Sequence, residues 1–194
     1  MSQPYPPGVQ LVLASASPRR RELLAQAGLP AVIRPAKVPE APQPGESPAA
    51  YVSRLAREKA LAVSATPQEA VLAADTTVVA GQSILEKPAD AAAARSMLLQ
   101  LSARSHEVLT GVCLIWQGRL IEHVERTLVE FAPLTPKEIA WYVSTGEPFD
   151  KAGGYGIQGF ASRFVSRIEG CFFNVVGLPV HRVYQMLRQA KLLA

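Results

Sequence analysis

Short apolar, β-prone runs alternate with capped helical segments along this chain, and that alternation restricts its fold more than any other feature. "VQLVLAS" ends in small residues directly before a helix in which Ser17 is the N-cap, Pro18 the first helical position and Gly28 the close. Together they make a strand-to-helix unit whose turn carries Ser15 and Ser17. A second apolar run, "PAVIRP", follows, then the Pro-rich loop "AKVPEAPQPGESP", and Ser47-Pro48 repeats the cap-plus-proline signal to open a helix through "AAYVSRLAREKALAVSA". On that helix Val52, Leu55, Ala56 and Lys59 share one face. "AVLAADTTVVAG" is β-rich, "SILEKP" a short extension, and "DAAAARSMLLQLS" a helix capped by Asp90.

From "HEVLTGVCLIWQGRLIEHVERTLVEFAP" the period is close to two, with Gln117-Gly118 as the turn, which predicts a long antiparallel hairpin. Thr135, Pro136 and Glu138 form a capping box for a helix ending at Gly146. "SRFVSRIEG" reads as a strand, and a final helix is expected from about Gly177 to Lys191. Interleaved strands and helices with one obvious hairpin predict an α/β domain built on a mixed sheet.

The chain has 194 residues, 48% of them hydrophobic and 19% charged, enough apolar material for one core or two closely joined lobes. No apolar run approaches the ~18 residues that span a bilayer, and "MSQPYPPGV" has neither a charged n-region nor an apolar h-region, so a cytoplasmic location is expected. Cys113 and Cys171 lack metal-ligand spacing and read as reduced structural thiols. A net charge of +4 permits an anionic partner without choosing one. Outside residues 19–21 the basic residues alternate with acids, which argues against a nucleic-acid surface.

Arg19, Arg20 and Arg21 occupy the first turn of the first helix, where the macrodipole disfavours cations by roughly 0.3–1 kcal/mol each. An anion resolves that conflict, because phosphate oxygens accept from helix N-terminal N–H groups and from an arginine in the same turn. The alternative is a surface row paired with Glu22. Asp75 interrupts a segment otherwise suited to full burial, and a carboxylate there is costly unless paired, metal-bound or held at a strand end. Lys59 and Lys87 could each lie along the surface, and Glu40 taken alone reads as solvated. "GYGIQG" fits the G-x-G-x-x-G expression but follows a loop, opens no βαβ unit and is no dinucleotide fingerprint. Its glycines offer backbone freedom beside Gln158, whose amide both donates and accepts and so suits the edge of a base. His106, His123 and His181 are scattered and are not read as ligands.

Taken together, "LASASPRR", "LAREKA", "AADTTVV", "EKP", "HEVLTGV", "EPFDKAGGYGIQG" and "IEGCFFNVVGLP" resemble, in order and over nearly the whole chain, the Maf-like nucleoside triphosphate pyrophosphatases. That family is related in fold to the inosine triphosphate pyrophosphatases. The form "YGIQG" is similar to the branch that hydrolyses dTTP and UTP rather than the one acting on 7-methyl-GTP. The resemblance implies a single domain over 1–194, a twisted mixed sheet flanked by helices, and two lobes around a central active-site cleft. It further implies a homodimer, a divalent cation (Mg²⁺ or Mn²⁺), and release of pyrophosphate from a nucleoside triphosphate. Carried over by motif, Asp75 is the general base and with Glu40 a metal ligand; Ser17, Arg19, Arg20, Lys59 and Lys87 hold phosphate; Thr76 and Gln158 set base choice together with Arg19. Two positions depart from the pattern. Pro39 stands where an Asp commonly precedes Glu40, removing one acid from the metal, and Cys171-Phe172 replaces a polar-Tyr pair before Phe173-Asn174. The family's association with division arrest keeps open a different class of role, a septum-interaction protein regulated by nucleotide.

Overall fold

A computed structural model describes residues 4–193. The strands are β1 (Gln10–Leu13), β2 (Val32–Ile33), β3 (Glu69–Ala80), β4 (Ser83–Leu85), β5 (Ser105–Trp116), β6 (Arg119–Phe131) and β7 (Val165–Glu169). The helices are α1 (Pro18–Gln26), α2 (Pro48–Leu61), α3 (Ala91–Leu101), α4 (Pro136–Ser144), α5 (Phe172–Val176) and α6 (Val180–Gln189). The strands form a mixed sheet in the order β2-β1-β3-β5-β6-β7, with β4 on β3. β1 runs parallel to β2 and β3, while β3–β4 and β6–β7 are antiparallel. Asp90 and Ser47 cap their helices, and Thr135 with Glu138 closes a full capping box. Gln117 and Gly118 take φ of 48° and 74°, both left-handed as the tight turn between β5 and β6 requires.

The chain divides into two compact units, residues 1–75, 110–125 and 177–194 in the first and 76–109 with 126–176 in the second. In the first, Val12 and Ala14 of β1, Val71 and Ala73 of β3, Cys113 of β5 and Ala56 and Ala60 of α2 share one core. Each strand contributes alternate residues, so each presents one face to that core. The small side chains let α2 lie close: a Cβ on Gly111 would fall 2.2 Å from the Val52 carbonyl oxygen. In the second unit an aromatic core gathers Phe131, Tyr142, Tyr155 and Phe164 with the buried His106 of β5. His106 Nε2 lies 2.8 Å from the Tyr155 hydroxyl.

Two expectations are corrected. "SRFVSRIEG" does not begin as a strand, because Phe160–Phe164 form a 3-10 turn and β7 starts at Val165. The last helix starts at Val180, not Gly177; a separate short helix, α5, precedes it, and the Leu178-Pro179 pair breaks the two apart.

Candidate active site

Periodicity brings the first group of candidates together. Val71, Ala73 and Asp75 fall on alternate positions of β3, so Asp75 extends the row that packs on α2. On α2 the buried face runs Tyr51, Val52, Leu55, Ala56, Lys59, Ala60, which sets Lys59 at the end of an apolar stripe. The two rows meet at their polar ends, where Lys59 Nζ donates to Asp75 Oδ1 at 2.6 Å. Glu40, expected to be solvated, reaches in from the Pro-rich loop and takes the same ammonium at 2.6 Å through Oε1. Lys59 and Asp75 side chains are 9% and 10% exposed, against 46% for Glu40, so one acid of the pair is sealed and the other faces water.

Arg20 is the fourth member. It is buried, with Nε donating to the Gly177 carbonyl at 2.8 Å and Nη1 to the Ala74 carbonyl at 2.8 Å and to Ser15 Oγ at 3.1 Å. The guanidinium thereby ties α1 to the β3 backbone one residue before Asp75. Burial draws its pKa below the ordinary arginine value, the Asp75 and Glu40 charges oppose that, and Arg19 reinforces it. Two cations and two anions thus balance at this point, which is how buried charges are tolerated.

Sequence reasoning placed Arg20 beside Arg19 as a phosphate ligand, yet these three donor contacts go to protein acceptors. Arg19 is half-buried and Arg21 exposed. Ser17 holds the N-cap backbone position with φ −66° and ψ 116°, but its hydroxyl makes no capping bond. Instead Ser15 Oγ accepts from Ser17 N–H at 3.2 Å as well as from Arg20. Ser15 is therefore the buried polar residue that organises this turn, a role its small size and position before the helix did not announce.

The remaining candidates belong to the second unit. Thr76 follows Asp75 on β3, half-buried and in the strand's alternate phase; Lys87 is exposed just past β4. Gln158 is exposed, between the buried Ile157 and the half-buried Gly159. The glycines around it do not leave open space: a Cβ at Gly156 would lie 2.7 Å from Lys151 Cε, and one at Gly159 2.3 Å from Glu147 Oε2. The missing side chains let the backbone approach the protein's own groups closely, Lys151 at Gly156 and Glu147 at Gly159.

Among the described residues no cluster of three or more His, Cys, Asp or Glu side chains could hold a metal alone. Glu40 and Asp75 nevertheless converge on one small cation, the Lys59 ammonium. Two carboxylates completed by substrate phosphate oxygens and water form a donor set suited to Mg²⁺. No helix among the described residues is long and apolar enough to cross a membrane.

A family model described as "Maf-like protein" matches residues 10–190. A "dTTP/UTP pyrophosphatase" of Koribacter versatilis is 54% identical over 190 residues, covering 97% of this chain and 98% of that protein. Proteins of the same name from Symbiobacterium thermophilum and Vibrio cholerae are 54% and 50% identical, each over 182 residues and 93% of this chain, with 93% and 97% of their own lengths covered. Among solved structures, a HAM1 protein from Coxiella burnetii aligns with 93% of this chain and 99% of its own, at 16% identity and a TM-score of 0.47.

Proposed function

The chain belongs to the Maf-like protein family, and from that premise we propose that it is a nucleoside triphosphate pyrophosphatase converting dTTP and UTP to their monophosphates and pyrophosphate. The substrates are those in the names of relatives that share half of this sequence over more than nine-tenths of its length. The observation that carries the chemistry is the Lys59 ammonium held by two carboxylates at 2.6 Å each beside a buried arginine. A group of this kind offers a proton acceptor next to cations, which hydrolysis of a polyanion requires.

In the proposed reaction a water oxygen bonds to the α-phosphorus, the bond from that phosphorus to the α–β bridging oxygen breaks, and pyrophosphate leaves in line. Asp75 accepts the water proton. Lys59, Lys87 and Arg19 bind phosphate oxygens with Ser17 at the α1 N-terminus, while Arg20 holds α1 against the strand that carries Asp75. Thr76, Gln158 and Arg19 set base choice, an assignment supported by their places in the family motifs. Glu40 and Asp75 would hold a divalent cation, Mg²⁺ or Mn²⁺, which when bound neutralises triphosphate charge. Pro39 leaves Glu40 without an adjacent acid. A homodimer, supported by the same resemblance, is tested by sedimentation equilibrium.

A panel of pure nucleoside triphosphates read by pyrophosphate release tests the proposal. The expected result is preference for dTTP and UTP over CTP, with turnover lost in chelator and restored by Mg²⁺ or Mn²⁺. Preference for 7-methyl-GTP or inosine triphosphate over both, or full turnover in chelator, would overturn it.

A further inference from the structure

Glu147 lies just after α4 in a short 3-10 turn, Glu147–Asp150, and its half-buried carboxylate accepts from α4 and from the turn at Phe160–Phe164. The Tyr142 hydroxyl donates to Oε1 at 2.8 Å, the Phe160 N–H to Oε2 at 2.8 Å, and the Ala161 N–H to Oε1 at 3.4 Å. The same Tyr142 hydroxyl accepts from the Gly156 N–H at 3.2 Å. Backbone groups on both sides of Gln158 are therefore fastened to one carboxylate, directly or through one phenol.

The close fit comes from the glycines, since any side chain at Gly159 would meet the Glu147 carboxylate at 2.3 Å. Lys151 Nζ donates to the Glu147 carbonyl at 2.7 Å and steadies the turn from the other side. One residue before the fastened stretch, Tyr155 is buried and bonded to His106. From Tyr155 to Gly159 only Gln158 is exposed. A segment pinned at residues 155, 156, 160 and 161, whose exposed side chains are Gln158 and a Phe160 set against the Trp141 ring, is built to hold Gln158 still.

We infer that Glu147 is a positioning residue for nucleobase selection: through Tyr142 and the amides of Phe160 and Ala161 it fixes the segment that presents the Gln158 carboxamide. The inference rests on the proposed reading of Gln158 as the base-reading side chain. Its chemistry is specific to a carboxylate. Every partner of Oε1 and Oε2 named above is a donor, so an amide in the same place must turn its NH₂ toward an N–H or O–H and lose that contact. Burial and the neighbouring Glu147 charge both push the Tyr142 pKa up, which keeps the phenol a donor.

The test compares Glu147→Gln, Tyr142→Phe, Gln158→Ala and the double variant Glu147→Gln/Gln158→Ala, measuring kcat and KM for dTTP, UTP and CTP. Glu147→Gln should raise KM for dTTP and UTP at least tenfold with kcat changed less than threefold. CTP hydrolysis should change less than threefold, so that the dTTP-to-CTP ratio collapses. In the Gln158→Ala background the same substitution should cost little more, because its effect passes through the side chain already removed. Tyr142→Phe keeps the carboxylate and cuts only the bridge to Gly156, so it should move the ratio in the same direction by a smaller factor, and it stands in if Glu147→Gln fails to fold. Equal losses on all three nucleotides, or full additivity with Gln158→Ala, would reduce Glu147 to general structural support and overturn the inference alone. An unchanged dTTP-to-CTP ratio in Gln158→Ala would overturn the reading of Gln158 and the inference with it.

Discussion

Arg20 donates to three protein acceptors, and this separates the roles of three arginines that look alike in sequence. Replacing it with Ala removes the buried donor contacts to the Ala74 and Gly177 carbonyls and to Ser15, and one of the two cations that offset Asp75 and Glu40, so stability should fall by about 3 kcal/mol. Arg19→Ala should leave the melting temperature unchanged and raise KM about tenfold, equivalent to about 1.4 kcal/mol of binding. Arg21→Ala should alter neither, or stabilise α1 slightly by removing a cation from its positive end. Thermal melts and steady-state kinetics on the three variants check this pattern; three equal effects on KM would mean diffuse surface charge. Asp75→Asn should abolish turnover while nucleotide binding survives, since the amide keeps the shape but cannot accept the proton. Binding is read by calorimetry, and parallel loss of binding and rate would make Asp75 structural. The acid in an apolar strand was visible in sequence because burial of charge demands a partner. Its partners were less so, for Glu40 sits in a loop without periodicity, and nothing local tells a lysine at the end of an apolar stripe from one that snorkels.

Elements whose ends are set by local chemistry were readable, and those set by packing were not. Ser47, Asp90 and Thr135 cap where their side chains imply, and Gln117-Gly118 turns the hairpin, because these signals act within four residues. The 3-10 turn Phe160–Phe164 escaped because its backbone is fixed by Glu147, thirteen residues earlier than Phe160, and no strand or helix period encodes such a contact. α5 is five residues long, too short for a periodic signal, and Asn174 within it is held by its side-chain bonds to the Val108 carbonyl and Thr127 Oγ1. Gly111 is a further case. It sits inside an apolar strand with no turn to explain it, and its reason is the α2 backbone at Val52. Gly111→Ala should therefore push α2 off β5, lowering stability by about 3 kcal/mol and the melting temperature by about 6–12 °C. Calorimetric melting measures this. A variant within 2 °C of the parent would show that α2 gives way freely, and the Lys59–Asp75 geometry that α2 supports would then be less rigid than its packing implies.

Across the whole molecule, sensitivity to acid comes from two kinds of group that titrate in different windows. Glu46, gripped by Arg54, and Glu69, gripped by Arg34, have pKa values lowered to about 2 from an ordinary 4.5, chiefly by those hydrogen bonds. A carboxylate with a depressed folded pKa stabilises above its unfolded value, and its contribution disappears as pH falls from 4.5 through 2. His106 acts earlier. Burial lowers its pKa from 6.5 to about 4, so between those limits the unfolded chain binds a proton that the folded chain refuses. Stability thus falls as pH drops through that window, by about 3 kcal/mol at its lower end. The ring is enclosed by Phe131 and Tyr155, and Nδ1 has no hydrogen-bond partner among the described residues, so a second proton would be left unsolvated. Thermal melts of the parent protein should accordingly lose about 5–10 °C between pH 7 and pH 4.5 from this residue alone. His106→Gln carries no titrating proton in that range. Whatever it costs in stability at pH 7, its melting temperature should be nearly flat from pH 7 to 4.5 and then fall with the parent's below 4. A variant that keeps the parent's slope above pH 4.5 would move the acid sensitivity to another group and show that the aromatic core tolerates an imidazolium.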